Sequence, residues 1–174
     1  MKIEAADCGD DSYDKVREIV KEQEMSEGLS NARIIATSLN FLKNHDSFNI
    51  DEKIKSKCEW AICAPVPIYS KKKGTTVRQY DIVKSLDVAT PGLCEFRCKL
   101  SQFEFRSIAF VYSDENSEYM LLTYTFLKEK LDNGHSPTDS HGQSKTRKYM
   151  KLAKDNFEDN VKNYFEVDDG NEEN

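Results

Sequence analysis

Between Leu93 and Leu127 the chain changes its hydrophobic rhythm, and that change predicts the fold. LCEFRCKL alternates apolar and charged residues, which is the period of a strand with one face buried. FEFRSIAFVYS places Phe103, Phe105, Ser107, Ala109 and Val111 on one face. Arg106, Ile108, Phe110 and Tyr112 fall on the other, and two largely apolar faces suit a central strand. EYMLLTYTFL is rich in aromatic and β-branched residues and predicts a third strand. Ser101-Gln102 and the DENS stretch are the connections, and links this short force an antiparallel meander.

Upstream the period lengthens to that of helices. Val16, Ile19 and Val20 recur at helical spacing over Tyr13–Met25, with Ser12 as a candidate N-cap. Gly28 breaks that pattern. A second helix follows over Ser30–Asn44, with Ile34, Ile35, Leu39 and Leu42 as its apolar stripe and Phe41 alongside. Before them, MKIEAA reads either as a short strand or as a disordered start. Trp60, Ile62, Val66 and Ile68 suggest a strand, but Pro65 and Pro67 restrict it to a sheet edge or an extended segment. TTVRQYDIVKSL is compatible with strand or helix. The polar loop LDNGHSPTDSHGQS leads into a C-terminal helix, with Tyr149, Leu152, Ala153, Phe157 and Val161 on one side. The expected class is α+β: N-terminal helices packed on a twisted antiparallel sheet, closed by a C-terminal helix. The predicted organisation is an acidic segment over residues 1–29, a domain over 30–165, and an acidic disordered tail over 166–174.

Charge adds an asymmetry to this picture. The net charge is −6. Residues 1–30 carry four Lys/Arg against nine Asp/Glu, and residues 166–174 carry five acidic residues and no basic one. The intervening body is therefore at +4, enough to meet a polyanion. The rival reading is that both acidic ends are simply solvated. No apolar run reaches the ~18 residues that a membrane span needs, and the N-terminus lacks the basic and apolar regions of a signal peptide. A cytoplasmic location is expected. Five cysteines, Cys8, Cys58, Cys63, Cys94 and Cys98, are an odd count that favours free thiols. Their C-x4-C and C-x3-C spacings differ from the tight zinc knuckle. Cys94 and Cys98 fall on one strand face as small apolar residues, and no metal or cofactor is expected.

Candidate chemistry is cationic. No G-x-S-x-G, P-loop or Rossmann glycine pattern occurs, and His45, His135 and His141 lack ligand spacing. Arg97 and Arg106 lie on adjacent predicted strands, and Lys128 and Lys130 follow the third. A guanidinium leaving a mostly apolar strand must find an anion or water. Two outcomes are open. Either the arginines pair with Glu95, Glu104 or other acids, or they converge on a phosphodiester. In the second case they would stabilise the charge that develops as a ribose 2′-hydroxyl attacks. Lys71, Lys72 and Lys73, with Arg147 on the C-terminal helix, are candidate RNA-phosphate contacts. Tyr112, Tyr124, His135 and Lys128 are candidate general bases.

The stretch EFRCKLSQFEFRSIAFVYSDENSEYMLLTYTFLKEK resembles the core of the RelE/HigB-type toxins, in particular the phage-derived Gp49-like branch. The residues that carry the resemblance are Glu95-Phe96-Arg97, Phe105-Arg106, Phe110-Val111-Tyr112, Phe126-Leu127-Lys128-Glu129-Lys130, Pro137, and the helix from Lys145 to Phe157. It covers about 70 residues. It implies a RelE/ParE-like fold and a metal-independent, ribosome-associated mRNA endoribonuclease, the toxin of a type II toxin–antitoxin pair. Its implied partners are mRNA, the ribosome and a cognate antitoxin, and Arg97, Arg106, Lys128 and Lys130 are its implied catalytic residues. Glu129 interrupts the paired lysines of the family, and the acidic net charge departs from its usual basic character. The alternative is a non-catalytic interaction or regulatory protein of phage or mobile-element origin on the same scaffold. One geometric criterion separates the two. If Arg97 and Arg106 point to opposite faces, or are each buried against a carboxylate, the nuclease reading fails.

Overall fold

A computed structural model describes residues 2–5, 12–26, 29–45, 61–70, 74–86, 90, 92–100, 103–113, 116–129 and 145–156. Six strands form one sheet: β1 (Lys2–Ala5), β2 (Ala61–Ser70), β3 (Gly74–Ser85), β4 (Leu93–Lys99), β5 (Phe103–Ser113) and β6 (Glu118–Glu129). Among the described residues three helices accompany them: α1 (Ser12–Ser26), α2 (Leu29–Lys43) and α3 (Lys145–Asp155). The spatial order is β1-β6-β5-β4-β3-β2. The expected three-strand meander is thus part of a five-strand one, because TTVRQYDIVKSL is a strand and pairs antiparallel with β2 and β4. β2 takes the edge, where its prolines leave no central ladder short of donors. The sheet is not wholly antiparallel. MKIEAA is a strand, and β1 runs parallel to β6 with Ile3 opposite Met120. The α1–α2 hairpin between β1 and the meander supplies the long connection that parallel pairing requires.

The two faces are covered differently. On one, Val16 and Ile19 of α1 and Ile35 and Leu42 of α2 bury against Phe96, Cys98, Phe105, Met120 and Leu122. Ile3 belongs to that same core, so β1 and α1, within residues 1–29, share a core with the sheet. Gln23 and Asn31, both buried, join the two helices by a hydrogen bond of 3.4 Å. On the other face α3 lays Tyr149, Met150 and Ala153 over Leu93, Ile108, Phe110, Leu121 and Phe126. The alternation read in β5 assigns its residues to these two cores: Phe105, Ala109 and Val111 in the first, Ile108 and Phe110 in the second. Phe157, Val161 and the 166–174 tail lie outside the described residues.

Two bulges correct the sheet's phase. Ile108 faces Tyr124 while Ala109 faces Leu122, so Thr123 is the extra residue, and its hydroxyl donates to the Ile108 carbonyl at 2.8 Å. In β3, Ile82 is the extra residue between the Ile62–Val83 and Cys63–Asp81 pairs. Ile82 and Val83 are both buried in the helix-covered core, and Asp81 is carried to the opposite face. Gly92 enters β4 at φ +79°, and a Cβ there would stand 2.4 Å from the Val111 carbonyl oxygen. Only glycine accommodates both constraints.

Candidate functional site

On the face that carries α3, the residues beyond the helix's N-terminal end are charged. Arg97 and Arg106 are directly opposite each other in the β4–β5 register, so they share a face. Like charges facing across a ladder repel, and the strands resolve this by turning each guanidinium to its own carboxylate. Arg97 reaches β3, donating from Nε to the Asp81 carbonyl at 2.9 Å and from Nη2 to Asp81 Oδ2 at 3.2 Å. Arg106 bridges two strands. Its Nη1 donates to Glu95 Oε1 at 2.6 Å, its Nε to Glu104 Oε2 at 3.1 Å, and its Nη2 also pairs with Glu104. Thr146 of α3 accepts from Arg106 at 3.3 Å and lies 3.5 Å from Glu95, tying the helix to the pair.

Burial separates the two ion pairs, chiefly through their carboxylates. The Arg106 and Glu95 side chains retain 11% and 4% exposure, whereas Asp81 retains 41%. Burial works against the charge on Arg106, but Glu95 and Glu104 outweigh it and hold the guanidinium above its ordinary pKa. Such a cation is fully charged and already neutralised. Cys63 completes the Asp81 cluster, its thiol donating to Oδ1 at 3.0 Å.

Lys128 sits on this face through its register with Glu104. Burial and the nearby Arg106 lower its pKa, and the Glu104 and Glu95 carboxylates oppose that shift. Arg147 is exposed on α3. Lys130, Lys71, Lys72, Lys73, His135 and His141 lie outside the described residues, as does the side chain of Tyr112. Tyr124 lies under α3, its hydroxyl accepting from Asn156 Nδ2 at 2.7 Å and its ring stacking on Tyr149. Arg97, Arg106 and Lys128 are therefore brought to one face, and both arginines are committed to carboxylates.

Reading the residues anticipated Glu95 and Glu104 as partners but not Asp81. The signal for Asp81 is a bulge, and no alternation pattern announces one in a strand whose two faces are both partly apolar. Cys94 and Cys98 are buried in the helix-covered core, where burial pushes the Cys98 thiol up to about 12 and the Cys94 thiol higher still. They act as small core residues. Among the described residues no group of three or more His, Cys, Asp or Glu side chains is arranged to hold a metal. Among the described residues no helix is long and apolar enough to cross a membrane. No family model matches the chain, and no curated protein or solved structure matches it either.

Proposed function

We propose that this chain is a non-catalytic interaction or regulatory protein on a RelE/HigB-like, RelE/ParE-like scaffold, acting in the cytoplasm. The scaffold reading is supported by order. Glu95-Phe96-Arg97, Phe105-Arg106 and Phe126-Leu127-Lys128 fall on three consecutive strands, β4, β5 and β6, and a polar helix follows. The non-catalytic reading rests on one observation: Arg106 is enclosed between Glu95 and Glu104. A phosphodiester would have to displace two carboxylates from a part-buried guanidinium, and it would meet their negative charge in doing so. Arg97 is likewise paired, with Asp81, though this pair is more open to solvent than the Arg106 cluster.

One observation favours the second reading, an mRNA endoribonuclease toxin held by an antitoxin and working at the ribosome. Lys128 shares the face of both arginines, and its pKa is lowered by burial and by Arg106, the direction a general base needs. Inducible expression in bacteria distinguishes the two. The proposal expects wild type, Lys128→Ala and Arg106→Lys to grow alike with messenger RNA intact. Growth arrest with mRNA loss in the wild type, relieved in Lys128→Ala, would overturn it.

A further inference from the structure

The outer surface of α3 is the most strongly charged surface among the described helices. Its sequence KTRKYMKLAKD carries five basic residues against Asp155. At 100° per residue, Arg147, Lys151 and Lys154 recur on one side at i, i+4 and i+7, with Lys148 next to them. Lys145, Arg147, Lys148 and Lys151 are exposed, while Tyr149, Met150 and Ala153 face the sheet. The helix is anchored from below. Tyr149 stacks on Phe126 at a ring separation of 4.8 Å and on Tyr124 at 5.6 Å, and Ala153 is buried. Glu95 and Glu104, on the sheet near Thr146, are bound to Arg106.

We infer that this stripe is a docking surface for the phosphate backbone of duplex DNA, contacted without sequence preference. Three features select that partner. Four of the five cations are lysines, which act as point charges on phosphate, whereas the forked pairing of carboxylates favours arginine. The one aromatic of α3, Tyr149, is stacked inward, so the surface offers no platform for the unpaired bases of a single strand. A straight ridge about 16 Å long covers the axial span of about five phosphates on one strand. It also fits beside the wide major groove of B-form DNA better than the narrow groove of duplex RNA. The net charge of −6 makes this attraction local to α3. The inference names a partner for the interaction protein proposed above and is tested separately from it, since binding is measured without reference to growth or mRNA.

Fluorescence anisotropy of a short mixed-sequence DNA duplex, titrated with the full chain between about 50 and 200 mM salt, is the test. The expected result is saturable binding that Lys148→Gln/Lys151→Gln weakens by about 10-fold or more at the lower salt, with the log–log salt slope flattened by about 2. Lys151→Arg, which keeps the charge, is expected to bind as wild type. The inference is overturned by no saturable binding, by a double variant that binds as wild type, or by tighter binding to duplex RNA or to polyglutamate than to the DNA.

Discussion

The face beneath α3 has two ends that solve the same problem by different physics. At one end Leu93, Ile108, Phe110 and Leu121 bury against Tyr149, Met150 and Ala153, and the contact is apolar area and ring stacking. At the other, Asp81, Glu95, Arg97, Glu104 and Arg106 fill the surface with three carboxylates and two guanidiniums. The apolar end tolerates error, because a lost contact costs only its own area. The charged end is less tolerant around Arg106, where removing Glu95 or the guanidinium leaves a largely buried charge short of a partner. A cluster so interdependent is better suited to holding strands in register than to releasing an arginine to substrate.

Glu95→Ala should produce the largest effect. It strips the more buried partner from Arg106, and with Glu104 still in place the loss should be about 2–4 kcal/mol in urea unfolding. If Glu95→Ala unfolds like wild type, the two ends do not differ as described. Tyr149→Ala probes the apolar end by removing two ring stacks from a half-buried position, for an expected loss of about 2 kcal/mol. Gly92→Ala, judged by its thermal midpoint, should cost about 1–3 kcal/mol, because it forces a side chain into a positive φ and against the Val111 carbonyl. Asp81→Asn tests the exposed edge of the network. With 41% of that side chain in solvent the loss should stay below about 1 kcal/mol, and it should shrink further in salt.

The smallest effect concerns pH. The folded pKa of Lys128 is lowered, so its charged form is disfavoured in the native state. Below that folded value the lysine is protonated in both states, and the penalty is present in full. Between the folded value and the ordinary 10.5 the unfolded chain binds more protons, so stability rises with pH across that window. Lys128→Met should be at least as stable as wild type at neutral pH and should lack this alkaline rise. A wild-type curve that falls relative to Lys128→Met across the same window would contradict the assignment.

Much of this was legible from residue types alone. The β4–β6 meander, both N-terminal helices and the two faces of β5 follow from periodicity, and Glu95 and Glu104 stood within reach of Arg106 by strand parity. Three things were not legible. Parallel pairing of β1 depends on a contact between Ile3 and Met120, more than a hundred residues apart, which no local pattern encodes. β3 reads ambiguously because its bulge places Ile82 and Val83 side by side in the core and breaks the alternation that marks a strand. Asp81 consequently falls on the charged face rather than where alternation from Val83 would put it. The direction of Arg97 followed from that one displaced residue.

The central claim is that the charge of Arg106 is consumed within the fold. A double-mutant cycle over Glu95→Gln and Arg106→Met, read by urea unfolding, measures this directly. The account predicts a coupling of about 2 kcal/mol or more, with each single variant losing more than half of what the double variant loses. Additive losses, with a coupling within about 0.5 kcal/mol of zero, would show that the guanidinium is not held by Glu95 and would contradict it.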